Sequence, residues 1–490
     1  MTHAVKHCSS GSFVARIGAA AVAGLLATTL IAGAPAALAQ DLGIKAAPQK
    51  GAVAIVGGTV HPVSGPSGVG TVVFEGGLIQ AVALGEDAKK IVIPAGATVV
   101  DAAGKHVYPG LIAPYTQLGL TEIESVASTR IDLSETGGIT PEVRAGSAVN
   151  PDSTLIPVTR SAGILTAGIF PIGGTVSGQG SVIRLDGWTV VDMQVSNSCG
   201  LMLNWPRVRP ISAWWMDRSE DDQKKEIEES LARIRDLFEK AKAYRALHAA
   251  EPSAPRDLRL EVVARTLPAD SAPGEGTGTS GATVANGTKD LGRDLAGMAD
   301  TRLPVFIQAG EADQIASAVT FGASLGLKMV IVGGREADRC ASLLLEHNVP
   351  VIIMGNHNFP KREDSGYDES LTLPARLKAA GIRFAMASGE DTAHERLLGS
   401  VAGWAAGFGL SREDALRSVT LSAAEVLGVS DLLGSLDVGK RATLIVTDGD
   451  PLEIRTKVEV AYVDGRQIDL SNKQTELMKK YEERYKQQAK

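Results

Sequence analysis

The chain has 490 residues and a formal net charge of −7, and 44% of its residues are hydrophobic. This length is too large for one ordinary core, so the sequence predicts a large barrel with a smaller second unit. An acidic chain without a basic stripe is a poor candidate for binding nucleic acid or anionic lipid, and we expect no nucleic-acid partner.

The first 39 residues have the pattern of a secretory signal peptide. Lys6 and Arg16 give a positive start, residues 17–31 form an apolar run, and residues 37–39 (ALA) supply a cleavage pattern before Gln40. The apolar run of about 15 residues is shorter than the roughly 20 that a membrane span needs. We therefore expect a periplasmic or secreted protein with no membrane span after cleavage. Since the leader holds two basic and no acidic residues, its loss makes the formal charge −9.

Cleavage would leave two cysteines, Cys199 and Cys340. Two cysteines fit neither a disulfide scaffold nor a cysteine-rich zinc motif. A single disulfide between them is one interpretation in an oxidising compartment. Two buried free thiols are the interpretation that we favour.

Both ends of the remaining chain have the pattern of β-strands. Residues 51–63 (GAVAIVGGTVHPV) alternate apolar positions and are rich in β-branched residues. Near the other end, residues 442–453 (ATLIVTDGDPLE) and 458–468 (VEVAYVDGRQI) are again strands with Asp-Gly turns. We expect these ends to pair in one small β-sandwich, with residues 40–108 as its first half and 436–470 as its second.

The middle of the chain, residues 109–435, alternates short apolar strands with helices. Residues 303–310 (LPVFIQAG) and 327–334 (LKMVIVGG) are each followed by a helical pattern. This alternation is typical of a parallel β/α barrel or a doubly wound sheet, and in a barrel the residues after each strand line the functional site. Within this region residues 268–287 predict a mobile insertion loop, and beyond it residues 471–490 predict a C-terminal helix.

Several motifs resemble those of the amidohydrolase superfamily, in its imidazolonepropionase-like branch. They are GGTVHPV (57–63), VDAAGKHVYPGLI (100–112), GILTAGIFPIGGTVSGQGSVIRLDG (163–187), LTLPARLKAAGIRFAM (371–386) and GSLDVGKRATLIV (434–446). The resemblance implies an α/β fold, namely a TIM-like (β/α)8 barrel with a small β-sandwich domain built from both termini. It also implies a hydrolase of non-peptide C–N bonds in a cyclic amide or similar small substrate.

The resemblance further implies where metal ligands would lie. Members of this family activate water with one or two divalent metals, held by histidines after barrel strands 1, 5 and 6 and an acid after strand 8. These positions carry other residues here: Tyr115 and Gln117 after strand 1, Gln308 after strand 5, Gly333 after strand 6, and Glu390 or Asp391 after strand 8.

Most of these replacements are poor metal ligands. A tyrosine must lose a proton whose pKa is near 10, and an amide oxygen carries no charge. The six histidines outside the leader show no His-x-His spacing. We therefore expect no metal cofactor, with a single zinc or manganese ion on Glu390 or Asp391 and His357 as the alternative.

In place of a metal centre we expect a polar cluster at the barrel mouth. The candidates for acid–base catalysis are Glu390, Asp391, Tyr115 and His357. The candidates for substrate binding are Gln117, Gln308 and Gln179. The last of these lies in a glycine-rich run, residues 173–180, which lacks the lysine of a phosphate-binding loop and is also explained by turn geometry alone.

Three hypotheses for the function stay open, of which we favour the first as a family label. The chain is a hydrolase of a small-molecule substrate, a catalytically inactive protein that keeps the binding pocket, or a subunit that assembles with an intact homologue. A homo-oligomer is compatible with each of them. The loops that would set the substrate carry no motif that identifies it.

Overall fold

The computed structural model describes residues 41, 43–212, 216–268, 302–360, 362, 364–389 and 391–488. The chain divides into two compact units, Met1–Gln40 and Asp41–Lys490, and the described residues belong to the second. The predicted signal peptide lies outside the described residues, and so does the predicted insertion loop except for its first residue, Pro268.

The described part of the second unit contains two eight-stranded sheets and eleven α-helices. The strands are β1 (Val53–Val60), β2 (Gly68–Glu75), β3 (Leu78–Leu84), β4 (Thr98–Asp101), β5 (His106–Pro109), β6 (Leu111–Thr116), β7 (Ile164–Ile169), β8 (Val176–Arg184), β9 (Gln194–Asn204), β10 (Val305–Ala309), β11 (Met329–Gly333), β12 (Val351–Met354), β13 (Phe384–Ala387), β14 (Leu444–Thr447), β15 (Val458–Val463) and β16 (Arg466–Gln467). The helices are α1 (Leu155–Ser161), α2 (Val190–Met193), α3 (Glu220–Ala250), α4 (Leu258–Ala264), α5 (Ala312–Ser324), α6 (Ala341–Glu346), α7 (Glu369–Ala379), α8 (Leu398–Gly407), α9 (Arg412–Ser418), α10 (Leu421–Leu427) and α11 (Lys473–Gln488).

The first sheet combines strands from both ends of the chain. Its order is β16-β15-β14-β5-β1-β2-β3, and β4 pairs with β1 beside this path. β14 pairs antiparallel with β5, which joins the C-terminal segment to the N-terminal one. Alternate residues such as Val53 and Ile55 of β1 and Val72 and Phe74 of β2 belong to one buried cluster. The period of two that predicted these strands therefore marks their buried face.

The second sheet forms the barrel, with the order β13-β12-β11-β10-β9-β8-β7-β6. Strands β9 to β13 pair in parallel, as do β6 and β7. The two outermost strands, β6 and β13, lie beside each other, so the sheet is nearly closed. The predicted α/β class with a TIM-like barrel is confirmed.

One barrel strand departs from the parallel order. β8 runs antiparallel to both β7 and β9. The connection from β7 to β8 spans only residues 170–175, which is too short for the crossover that a parallel pair requires. The glycine-rich run at 173–180 is therefore a hairpin connection that continues into a strand.

Alternate residues of the barrel strands face the lumen. Met202, Phe306, Val330, Ile352 and Ala385 belong to one buried cluster inside the barrel. Their neighbours along each strand pack instead with the apolar faces of the surrounding helices. Both faces of these strands are buried, which explains their continuous apolar runs. None of the helices in the described part of the chain has the length and apolarity of a membrane span.

Candidate functional site

The carboxyl ends of the parallel barrel strands meet at one end of the barrel, which we call the mouth. Functional groups of β/α barrels lie at this end because the loops after the strands converge there. The strand 1, 5 and 6 positions of the family correspond to the ends of β6, β10 and β11. The structure therefore brings Tyr115, Gln308 and Gly333 to one edge of the barrel sheet.

Tyr115 lies inside the barrel and is only 6% exposed. A β-bulge between Ala113 and Thr116 shifts the register of β6, so that Tyr115 joins Ile112 on the lumen side. Its ring stacks on Phe170, with centroids 5.1 Å apart. Burial raises the pKa of Tyr115 to about 12, although a hydrogen bond with Gln117 lowers it. The phenol therefore stays protonated at neutral pH and offers no anionic ligand.

Polar side chains from two neighbouring strands face the mouth. Gln308 of β10 pairs in register with Asn204 of β9. The Gln308 side chain is exposed, whereas Asn204 Nδ2 donates to the carbonyl oxygen of Gly174 at 2.8 Å. Gln117 is half-buried, and its Nε2 donates to the carbonyl oxygen of Phe170 at 3.4 Å. Of the three glutamines predicted to bind a ligand, Gln308 alone is exposed.

Gln179 is fully buried on β8. Its Nε2 donates to the carbonyl oxygen of Pro141 at 3.0 Å, and its Oε1 accepts from Ser198 Oγ at 2.8 Å. Both ends of the amide therefore have partners within the protein. The structure does not bring Gln179 to the mouth, and its contacts stabilise the β8–β9 pair.

The structure describes three of the four predicted acid–base residues, namely Tyr115, Asp391 and His357. His357 is exposed, and its ring stacks on Trp404 of α8. Asp391 is half-buried, and its Oδ1 lies 2.7 Å from Nδ1 of His394. Glu390 lies outside the described residues. The structure thus pairs Asp391 with His394.

A buried acid that the sequence pattern did not single out lies where β6 and β13 meet. Glu395 belongs to a 3₁₀ turn, Thr392–Leu397, and is 1% exposed. Ser388, just after β13, donates its Oγ to Glu395 Oε2 at 3.1 Å. Burial raises the pKa of Glu395 to about 7, although hydrogen bonds from Thr116 and Ser388 lower it. The sequence has three acids after the last barrel strand, Glu390, Asp391 and Glu395, but the family spacing favoured the first two as site residues.

Glycines occupy the ends of three neighbouring strands at the mouth. Gly333, Gly355 and Gly389 have positive φ angles of 106°, 64° and 69°. A Cβ atom at Gly389 would lie 2.5 Å from the backbone nitrogen of Gly355. The strand ends approach each other so closely that a side chain is excluded there.

A cavity of about 260 Å³ opens beside these glycines, between the strand ends and α7. Arg335 and Asn358 supply its charged and amide groups, and Met354 faces both this cavity and the lumen cluster. A guanidinium can bind a carboxylate or carbonyl oxygen. Arg335 comes two residues after the strand 6 position.

The residues at the mouth do not fit the divalent metal that the family fold implies. Tyr115 stays protonated, Gln117 and Gln308 carry neutral amides, and the strand 6 position has no side chain. Divalent metals in such sites need imidazoles or carboxylates. Among the residues that the structure describes, no three His, Cys, Asp or Glu side chains are grouped closely enough to hold an ion.

We expect Gly389→Ala to destabilise the protein more than Gly76→Ala, when both are measured by urea denaturation. Both positions have positive φ, which costs about 1–3 kcal/mol for a non-glycine residue. Only Gly389 meets backbone atoms, whereas a Cβ at Gly76 would have no heavy atom within 4 Å. The overlap should add about 1–3 kcal/mol. Equal losses for the two variants would show that the strand ends separate freely.

Comparisons with known proteins agree with this architecture. A model of the amidohydrolase family matches residues 228–468. An amidohydrolase from Thermotoga maritima MSB8 has 23% sequence identity and a TM-score of 0.68, and the alignment covers 85% of this chain and 99% of that chain. No curated protein matches the sequence.

Two further solved structures are more loosely similar. One is a molinate hydrolase with 16% identity and a TM-score of 0.49, covering 87% of this chain and 96% of that chain. The other is a zinc-bound adenosine deaminase from Xanthomonas campestris with 16% identity and a TM-score of 0.45, covering 86% and 93%. At 23% identity, the likeness to the Thermotoga maritima protein bears on the fold alone. Residues 228–468 thus match the amidohydrolase family, and the chain as a whole shares the fold of an amidohydrolase.

Proposed function

We propose that this chain is an exported amidohydrolase-family protein that binds a small carbonyl-containing ligand at the barrel mouth without metal-activated water. The observation that carries the proposal is the replacement of the metal-ligand positions by Tyr115, Gln117, Gln308 and Gly333. The location in the periplasm or outside the cell rests on the leader pattern of residues 1–39.

The chemistry of the mouth favours binding over metal-assisted hydrolysis. A bound cation lowers the pKa of its water and polarises the carbonyl of the substrate, and neutral amides do neither. Gln308 is exposed and can donate to a carbonyl oxygen, while Arg335 in the adjacent cavity suits a carboxylate. The ligand class that fits is therefore a small amide or amino-acid derivative.

Metal analysis tests the proposal that this chain lacks the metal centre of its family. After incubation with zinc or manganese and removal of free ion, we expect fewer than about one metal ion per ten chains by plasma mass spectrometry, because the strand 1, 5 and 6 positions carry no imidazole or carboxylate. A zinc enzyme treated in parallel checks that the procedure retains bound metal. Stoichiometric metal in this protein would overturn the proposal.

A second candidate function, metal-independent hydrolysis of a non-peptide C–N bond, is favoured by Glu395. A carboxyl group whose pKa is raised to about 7 suits proton transfer near neutral pH. If Glu395 accepts a proton from water, turnover of an amide or lactam should rise as the pH passes about 7, and it should vanish in Glu395→Gln. Glu482→Gln serves as the control, because Glu482 is an exposed glutamate of α11. If the wild-type protein turns over no amide, lactam or dipeptide in a broad panel, ligand binding remains the proposed function.

A further inference from the structure

A second cavity lies at the other end of the barrel, next to the sheet formed by both chain ends. It has a volume of about 680 Å³, and its wall includes the first residues of β9, the end of β8 and the segment after α10. Ser198 lines this cavity, whereas Asn204 at the end of the same strand faces the mouth. Six residues of strand span roughly 20 Å, so the two sites are separate.

The wall of this cavity is rich in arginine. Five arginines line it, against two aspartates: Arg144, Arg184, Arg265, Arg441 and Arg466, with Asp192 and Asp431. Asp192 is already engaged, because its carboxylate accepts hydrogen bonds from the backbone nitrogen and hydroxyl of Thr189. The cavity is therefore positive in a protein whose formal charge is −7.

The acids behind the wall are shared between arginines. Arg184 and Arg441 both contact Oδ2 of Asp464, at 3.1 and 3.3 Å. Arg466 contacts Asp186 at 3.0 Å, and the buried Arg160 contacts the same carboxylate at 3.5 Å. One carboxylate cannot neutralise two guanidinium groups. The five arginines of the wall thus outnumber the two aspartates that line it and the two that lie behind it.

Arg184 is the least exposed of the five, with 17% of its side chain accessible. Its Nε is buried without a hydrogen-bond partner. Burial lowers the pKa of Arg184, Asp464 opposes this, and the nearby Arg441 and Arg466 lower it further. A bound anion would relieve the repulsion between the guanidinium groups.

The entrance adds an aromatic surface. Trp188 and Val191 line the cavity and are 61% and 58% exposed. Arg144 and Arg265 are exposed and line the same entrance, and neither has an ion pair among the described residues. An exposed indole beside arginines suits a ligand with a flat or apolar part as well as charged oxygens.

We propose that this cavity binds a small organic anion with at least two negatively charged oxygens, such as a phosphate ester or a dicarboxylate, with its apolar part against Trp188. Arg184 and Arg441 hold the charged end in the wall, and Arg144 and Arg265 contact it from the entrance. Since the amino-terminal end of a β/α barrel is opposite the usual catalytic end, this is a second site rather than part of the mouth.

The proposal is tested by calorimetric titration of the mature protein at constant ionic strength. The three probes are inorganic phosphate, phenyl phosphate and citrate. We expect saturable binding, and a Kd at least about tenfold weaker in Arg144→Gln/Arg265→Gln, because two charge-assisted hydrogen bonds are lost. Both substitutions are at exposed positions, so the fold should be kept, and thermal unfolding checks this. Arg455→Gln, at an exposed arginine outside the cavity, is the matched control and should bind as wild type.

The three probes show which part of the proposed ligand each residue contacts, because only phenyl phosphate has an aromatic ring and only citrate carries carboxylates instead of phosphate. Trp188→Ala should weaken phenyl phosphate more than inorganic phosphate if the indole contacts the apolar part. Tighter binding of the two phosphates than of citrate would identify a phosphate ester, and the reverse order would identify a polycarboxylate. Failure of all three probes to bind saturably, or equal weakening by Arg455→Gln, would overturn the proposal.

Discussion

Replacement of Glu395 by glutamine is expected to raise the free energy of unfolding by about 3 kcal/mol at pH 8 and by less than about 1 kcal/mol at pH 5. Burial raises the pKa of this carboxyl from 4.5 to about 7. The folded protein therefore holds the proton more tightly than the unfolded chain does. The wild type consequently loses stability as the pH rises from about 4.5 to 7, where the carboxyl ionises inside the fold.

Glutamine has nearly the same shape as glutamate, and its side-chain oxygen can still accept from Ser388 Oγ. Urea denaturation at several pH values between 5 and 8 measures the difference in the free energy of unfolding between variant and wild type. The contributions of the other titrating groups cancel in this difference. Glu482→Gln, an exposed glutamate of α11, should parallel the wild type. Identical pH profiles for Glu395→Gln and wild type would show that the carboxyl is not buried as described.

Phe170→Ala is expected to lower the free energy of unfolding by about 3–5 kcal/mol. Phe170 is fully buried, stacks on Tyr115, and packs against Phe306 with centroids 4.7 Å apart. A Cβ at Gly180 would lie 2.3 Å from this ring, so the lumen has no room beside it. The substitution removes both the buried area and the aromatic contacts, and leaves a cavity that the stiff barrel sheet cannot close.

Denaturation of Phe359→Ala provides the comparison, because Phe359 is 92% exposed and its loss should cost little. Gly180→Ala should also destabilise, by about 1–3 kcal/mol, through overlap with the ring. Combining it with Phe170→Leu should recover part of that loss, since the smaller side chain vacates the overlapping space. A loss below about 1 kcal/mol for Phe170→Ala would mean that the lumen is not packed in this way.

The packing of the lumen bears on the proposed function. Tyr115 occupies the first metal-ligand position, and its ring continues through Phe170 to Phe306, so apolar contacts fill the level of the barrel below the mouth. Above this layer, the described residues include the exposed amide of Gln308 and the cavity beside Arg335. Ligand binding at the mouth is compatible with this layer, whereas a metal centre between charged side chains is not.

Part of the candidate site was predictable from the sequence because it depends on local patterns. The end of each barrel strand is marked by its apolar run, so the positions of Tyr115, Gln308 and Gly333 could be assigned along the chain. The exposure of Gln308 and the burial of Gln179 could not be assigned in this way. Both are polar residues in strands, and only the neighbouring strands decide which face meets solvent.

The sequence by itself determined the α/β class, the sheet shared by both chain ends and the replacement of the metal-ligand positions, since strand periodicity and motif spacing are properties of short segments. The tertiary structure alone decided that Glu395 is buried between the outer strands, that His357 stacks on Trp404, and that Arg184 and Arg441 share Asp464. These features join residues that are distant in the chain. Their burial and charge depend on which surfaces meet when the barrel closes against the terminal sheet.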